Sequence, residues 1–224
     1  MIFDKINKRL VVLCGHYGTG KTNVAVNLAR YAVSLGKKVC ITDLDIVNPY
    51  FRTADNAGEL KSLGVRTIIP EYANSNVDIP SIPSEFQSVF ESDELCFVDV
   101  GGDDGAVALG TYADRFEREG YDMLYVYSAY RPMIRETEDA MDSLAEIEYL
   151  SRMKCTGIVN NSNLGVETDA ETVKKSVEAC KAFAERAGLP IVFTSAVASV
   201  AKLLEGEEGI GEILAIEDST KKLF

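Results

Sequence analysis

The stretch Gly15-His16-Tyr17-Gly18-Thr19-Gly20-Lys21-Thr22 has the form G-x-x-x-x-G-K-[ST], and its surroundings constrain it further. An apolar run, Leu10 to Cys14, precedes it, and a stretch of helical character, Asn23 to Leu35, follows. Strand, glycine-rich turn and helix in that order aim successive backbone N–H groups and the positive end of a helix dipole at one spot. Phosphate oxygens suit that spot. Lys21 adds a point charge for the outer phosphates, and the Thr22 hydroxyl is a ligand for Mg²⁺. Gly15, Gly18, Thr19 and Gly20 complete the expected cradle. The implied ligand is a nucleoside di- or triphosphate.

Apolar runs alternate with helical segments along the rest of the chain. Strands are expected at Lys38–Asp43, Val65–Ile69, Leu95–Val100, Asp122–Tyr127, Cys155–Asn160 and Pro190–Thr194, with helices near Ala106–Glu119, Arg135–Arg152, Asp169–Ala187 and Ala198–Glu205. The helix from Arg135 carries Ala140, Met141, Leu144, Ile147 and Leu150 close to one-face spacing. A helix after nearly every strand predicts an α/β fold: three layers, a mostly parallel doubly wound sheet, and a ligand at the strands' carboxyl ends. One nucleotide-binding domain over residues 1–224 suffices. The Pro- and Ser-containing stretch Pro70–Ser84 is the candidate lid.

Composition narrows the partners. A net charge of −12 argues against nonspecific binding to DNA or to anionic membranes, both of which need a basic face. Lys174, Lys175 and Lys181 share a helix but read as solvated surface charge. No secretory leader opens the chain and no apolar stretch approaches a bilayer's width, so a cytoplasmic protein is expected. The Lys221-Lys222-Leu223-Phe224 end lacks a sustained basic amphipathic face. Five cysteines (Cys14, Cys40, Cys96, Cys155 and Cys180) form no C-x-x-C pair and read as small buried hydrophobes.

Three more segments fall at the carboxyl ends of expected strands: Asp43 to Tyr50, Asp99 to Asp104, and Asn160 to Asn163. Together with the loop they would enclose one pocket. A buried Asp at a strand end is costly unless it meets a metal or donors, which favours a functional Asp99. Asp43 and Asp45 compete for a site role, as do Asn160, Asn161 and Asn163; Asp103 and Asp104 are expected to cap the following helix.

In this order the motifs resemble the Walker-type ATPases of the MinD/ParA/nitrogenase-iron-protein group, within the SIMIBI class. That group pairs its phosphate loop with an Asp-x-Asp switch, here Asp43-Leu44-Asp45, and an Asp-x-x-Gly switch, here Asp99 to Gly102. More narrowly, "GHYGTGKTNVAVNLA", "DLDIVNPYFR", "VDVGGDD" and "NNSNLG" look like a branch of MinD-like ATP-binding proteins from anaerobic bacteria. The resemblance implies ATP and Mg²⁺ as cofactors, with Lys21 on the β- and γ-phosphates and Thr22 on the metal. It implies that Asp45 orients the attacking water beside the metal, that Asp99 holds a metal-bound water, that Gly102 donates an N–H to the γ-phosphate, and that Asn160 reads the adenine edge. It also implies a homodimeric, nucleotide-driven switch acting on a protein client. A small-molecule kinase or ATP-dependent ligase of dethiobiotin synthetase-like fold, and a low-turnover nucleotide sensor, are the alternatives.

One position departs from the group. Where a lysine usually reaches the partner's nucleotide stands His16, the only histidine in the chain, followed by Tyr17. Histidine is shorter and largely neutral near pH 7. Four outcomes are open: a protonated His16 acting in trans, an arginine substitute among Arg52, Arg131 and Arg135, slow transfer, or simple packing of His16 and Tyr17 over the loop.

Overall fold

Every residue of Leu10–Cys14 (β1) is buried, and its side chains leave the strand alternately in two directions. Leu10, Val12 and Cys14 join one apolar cluster, while Val11 and Leu13 join another on the opposite face. A strand apolar on both faces can only sit inside a sheet covered on both sides. The computed structural model describes residues 1–44, 56–69 and 84–217, so Asp45, Tyr50, Phe51, Arg52, nearly all of Pro70–Ser84 and the Lys221–Phe224 end lie outside the described residues.

Around β1 the chain lays down β2 (Val39–Asp43), β3 (Arg66–Ile68), β4 (Leu95–Asp99), β5 (Tyr121–Tyr127), β6 (Gly157–Asn160), β7 (Ile191–Val197) and β8 (Ile213–Ile216). The order across the sheet is β3-β2-β4-β1-β5-β6-β7-β8, and every pairing is parallel. From β1 the chain lays β2 and β3 on one side, returns with β4 to lie beside β1, and continues through β5 to β8 on the other side, so the order reverses at β1 and opens a crevice at its carboxyl end.

Helix α1 (Lys21–Ser34) covers one face with Val24, Ala25, Leu28, Ala29 and Ala32, residues at helical spacing that pack on Val11, Leu13 and Ile41. The other face is covered by α3 (Gly102–Gly110), α4 (Ala113–Glu119), α5 (Thr137–Ser151) and α6 (Ala170–Ala187). Phe183 of α6 stacks on Tyr127 with ring centroids 5.1 Å apart. A short α2 (Ala57–Ser62) precedes β3, and α7 (Ala198–Leu204) connects β7 to β8.

The layered α/β fold and its parallel sheet agree with the sequence reading, while several boundaries differ. The expected helix Ala106–Glu119 is two helices, and the first begins earlier, at Gly102 with Gly101 as its N-cap. Positions 103 and 104 therefore lie within the first turn of the helix rather than at its cap. The edge strand β8 was not expected from the sequence. Its burial alternates, as befits an edge.

Candidate functional site

The loop between β1 and α1 is held from below by its neighbours. Gly15 has φ 141°, and a Cβ there would stand 2.6 Å from the carbonyl oxygen of Val126 in β5. Gly20 has φ 84° and caps α1, and its missing Cβ leaves the space that the side-chain amide of Asn161 enters. Both positions combine a left-handed backbone with a close approach, which only glycine accommodates. The interior of the loop is tied by Thr19, whose N–H and hydroxyl both donate to the carbonyl of His16, at 3.3 and 2.9 Å.

Lys21 is 7% exposed, unusual for lysine, and its ammonium donates to the carbonyls of Gly15 at 2.9 Å and His16 at 3.1 Å. Those bonds hold the charge inside the curl of the loop, where a polyphosphate would lie. Thr22 follows in the first turn of α1, half-buried.

On the β2/β4 flank, Asp99 ends β4 and is the register partner both of Leu13 in β1 and of Asp43 in β2. Both carboxyl groups are 1% exposed. Adjacent parallel strands run about 4.8 Å apart, so two acids stand side by side at the sheet's carboxyl end. Such a pair is tolerable when cations or donors reach it. Hard oxygen donors of this type, together with the Thr22 hydroxyl, fit Mg²⁺, which takes one or two carboxylates and leaves its other positions to water and phosphate. Among the described residues no three His, Cys, Asp or Glu side chains gather into a metal cage. Helix α3 begins at Gly102, shortly after β4 ends at Asp99, and Gly105 passes close to the Leu44 carbonyl, a Cβ there lying 3.1 Å away.

On the opposite flank the groups are amides and hydroxyls. Asn161 is 2% exposed; its amide donates to the Thr19 carbonyl at 2.6 Å, and its oxygen accepts from the Ser195 hydroxyl of β7. Asn160 turns the other way, donating to Ser176 of α6 at 3.0 Å and accepting from Ser162 at 2.6 Å. The Ser162 hydroxyl in turn accepts the N–H of Ala129 at 2.8 Å, which ties down the turn after β5. The side chain that meets the phosphate loop is thus that of Asn161, with Ser195 behind it. Ser162 and Ser195 were not singled out in the sequence; the signal available was the polar run Asn160–Asn163 closing a buried strand.

The structure gathers Gly15, Gly18, Thr19, Gly20, Lys21 and Thr22 on one loop, with Asp99 and Asp43 on one side and Asn161 on the other. His16 is half-buried, and its Nδ1 is 3.0 Å from the Tyr17 carbonyl, so the ring lies along its own loop. Tyr17 is 61% exposed, which removes the packing role considered for it. All five cysteines are reduced and buried, with Cys14 and Cys155 sulfurs 3.6 Å apart.

No protein-family model matches the chain, and no curated protein does. Solved structures do match in shape. FtsY from Mycoplasma mycoides superposes with a TM-score of 0.52 at 18% identity, covering 85% of this chain and 60% of that one. The cell division protein FtsY from Thermotoga maritima gives 0.54 at 16% identity, covering 87% and 67%. This chain spans about two thirds or less of their length. At such identity the likeness is one of fold alone: the molecule shares the layered α/β fold of these FtsY structures.

Proposed function

We propose that this chain is a Mg²⁺-dependent ATPase of the MinD/ParA type, one nucleotide-binding domain over residues 1–224 that works as a nucleotide-driven homodimeric switch on a protein client. The observation that carries the reading is the loop: a glycine-lined curl on a helix N-terminus with a buried lysine ammonium inside it. Backbone N–H groups of Gly18 to Thr22 and the Lys21 ammonium bind the polyphosphate. Thr22, Asp99 and either Asp43 or Asp45 hold the metal through oxygen. Bound Mg²⁺ supplies charge neutralisation for the transferred phosphoryl group. Phosphoryl transfer asks the protein mainly for position and charge, and this site offers both.

The Asp beside the metal orients a water for in-line attack, and the Gly102 N–H at the start of α3 meets the γ-phosphate, linking its presence to the position of that helix. The exposed apolar side chains of Tyr17, Met133, Leu164 and Val166 support a partner-facing surface, since all belong to loops that follow carboxyl ends of β1, β5 and β6. Adenine is preferred on the strength of the sequence resemblance. Calorimetric titration with Mg-ATP and Mg-GTP tests the reading: saturable binding of ATP over GTP that Lys21→Ala abolishes is the expected result. Absence of binding by either nucleotide refutes it.

A further inference from the structure

Of the arginines near the carboxyl end of the sheet, one lies on the phosphate loop itself. A Cβ on Gly18 would stand 3.1 Å from Cζ of Arg131 and 3.3 Å from its Nε and Nη2, so the guanidinium covers the loop at the residue preceding Thr19. Arg131 is exposed and its side chain makes no hydrogen bond or ion pair with any described residue. Five of the nine described arginines, Arg9, Arg30, Arg66, Arg152 and Arg186, hold a carboxylate.

The backbone beneath Arg131 is anchored. Its N–H donates to Ser128 at 3.2 Å and its carbonyl accepts from Ile134, which is fully buried, at 3.1 Å. Pro132 sets the turn that follows, and the buried Ser162 hydroxyl holds Ala129 just before it. An exposed, charged side chain thus rises from a fixed base to lie on a loop built for anions.

We infer that Arg131 is a second cation of this site, supplied by the same chain, which contacts the outer phosphate of a bound nucleoside triphosphate. The inference rests on the proposed nucleotide reading and deepens it. A guanidinium stays charged at any working pH and can offer two parallel N–H groups to one phosphoryl group. Lys21 holds the polyphosphate from inside the curl and Arg131 from above Gly18. In hydrolysis, water oxygen bonds to the γ-phosphorus as the bond from that phosphorus to the β–γ bridging oxygen breaks, giving nucleoside diphosphate and inorganic phosphate, with the water's proton passing to the phosphate product or to solvent. Arg131 exchanges no proton; it neutralises charge on the equatorial oxygens as they accumulate it. It fills the place left by His16, whose ring is turned along its own loop.

The test compares wild type, Arg131→Ala, Arg131→Lys, Lys21→Ala and, as a distant surface control, Arg118→Ala. Each is titrated with Mg-ADP and with a Mg-bound nonhydrolysable ATP analogue, and single-turnover hydrolysis of ATP and GTP is followed. Expected for Arg131→Ala is unchanged Mg-ADP affinity, loss of the preference for triphosphate over diphosphate, and a fall in hydrolysis of about 10²- to 10³-fold. Arg131→Lys recovers part of the preference, and Arg118→Ala matches wild type. Wild-type behaviour of Arg131→Ala, while Lys21→Ala loses nucleotide, overturns the role of Arg131 alone. Equal weakening toward diphosphate and triphosphate also overturns it, since a structural residue would act so. Failure of wild type to bind any nucleotide removes both readings. Arg131→Gln, assessed by circular dichroism beside the alanine variant, guards against a folding defect.

Discussion

The two flanks of the phosphate loop are built from different chemistry. Toward β2 and β4 stand Asp43 and Asp99, register partners sealed from solvent. Toward β5, β6 and β7 stand Asn161, Ser162, Ser195 and the exposed Arg131. One flank carries two carboxyl groups, which under the proposed function would meet a cation and a water; the other carries neutral donors that brace the loop and a positive charge that covers it. Polyphosphate with its metal carries both signs of charge, so an asymmetric cleft orients it where a uniformly basic one would only attract it. On the proposed reading, the loop motif alone does not make the site: its two neighbours would divide metal handling and loop support.

The comparison can be broken at several points. Lys21→Ala, at the boundary between the flanks, has the largest expected effect: Mg-ATP affinity falls by at least about 100-fold, read by calorimetry, because the charge inside the curl is gone. Asp99→Asn comes next. It leaves a side chain of the same shape, so binding of nucleotide without metal is retained, whereas Mg²⁺-dependent hydrolysis drops by about 10²-fold. A metal titration of turnover checks it, and equal loss with and without metal would merge the two flanks into one function.

On the amide flank the expected effect is mainly on stability. Asn161→Ala leaves the buried Thr19 carbonyl and Ser195 hydroxyl without that partner and costs about 2 kcal/mol in urea unfolding, with a smaller loss of affinity. Gly20→Ala collides with the Asn161 amide and strains a left-handed backbone. Combining it with Asn161→Ala relieves the collision but not the strain, so the double variant is less unstable than the sum of the two. Strict additivity would show that the two residues do not meet.

The smallest effect serves as a control outside the cleft. Asp169 caps α6, accepting from the Thr172 N–H at 2.8 Å and hydroxyl at 2.7 Å, and these bonds hold its carboxyl below the usual range. A depressed folded-state pKa means the contribution is present above the unfolded value and lost as pH falls through the folded one. Asp169→Ala therefore lowers the melting temperature slightly near neutrality and not at strongly acid pH, with nucleotide binding unaffected.

The asymmetry between the flanks also explains how far the sequence could be read. The turn at residues 15–22 was legible as a strand-to-helix loop because an apolar run precedes its glycines and a stretch of helical character follows them. Asp99 was legible because an acid closing the apolar run Leu95–Val98 needs a reason. Asn161 was not separable from Asn160, since neighbouring strand-end residues point to opposite sides and the composition Asn-Asn-Ser-Asn carries no register. Arg131 could only be named beside Arg52 and Arg135, because its contact with Gly18 depends on β5 lying next to β1, a pairing of segments about a hundred residues apart. The two-helix break at Gly110–Ala113 and the edge strand β8 are likewise consequences of packing, with no local signal.

The central claim is that the Gly15–Thr22 loop grips a polyphosphate with an acidic flank on one side and Arg131 on the other. A crystal structure grown with Mg²⁺ and a nonhydrolysable ATP analogue tests it most directly. The account predicts phosphate density inside the curl, Lys21 and Arg131 both within hydrogen-bond distance of phosphate oxygens, and a cation beside Thr22 and Asp99. A nucleotide lodged elsewhere on the molecule, or a loop whose Lys21 keeps its bonds to Gly15 and His16 and reaches no phosphate oxygen of the bound ligand, would contradict it.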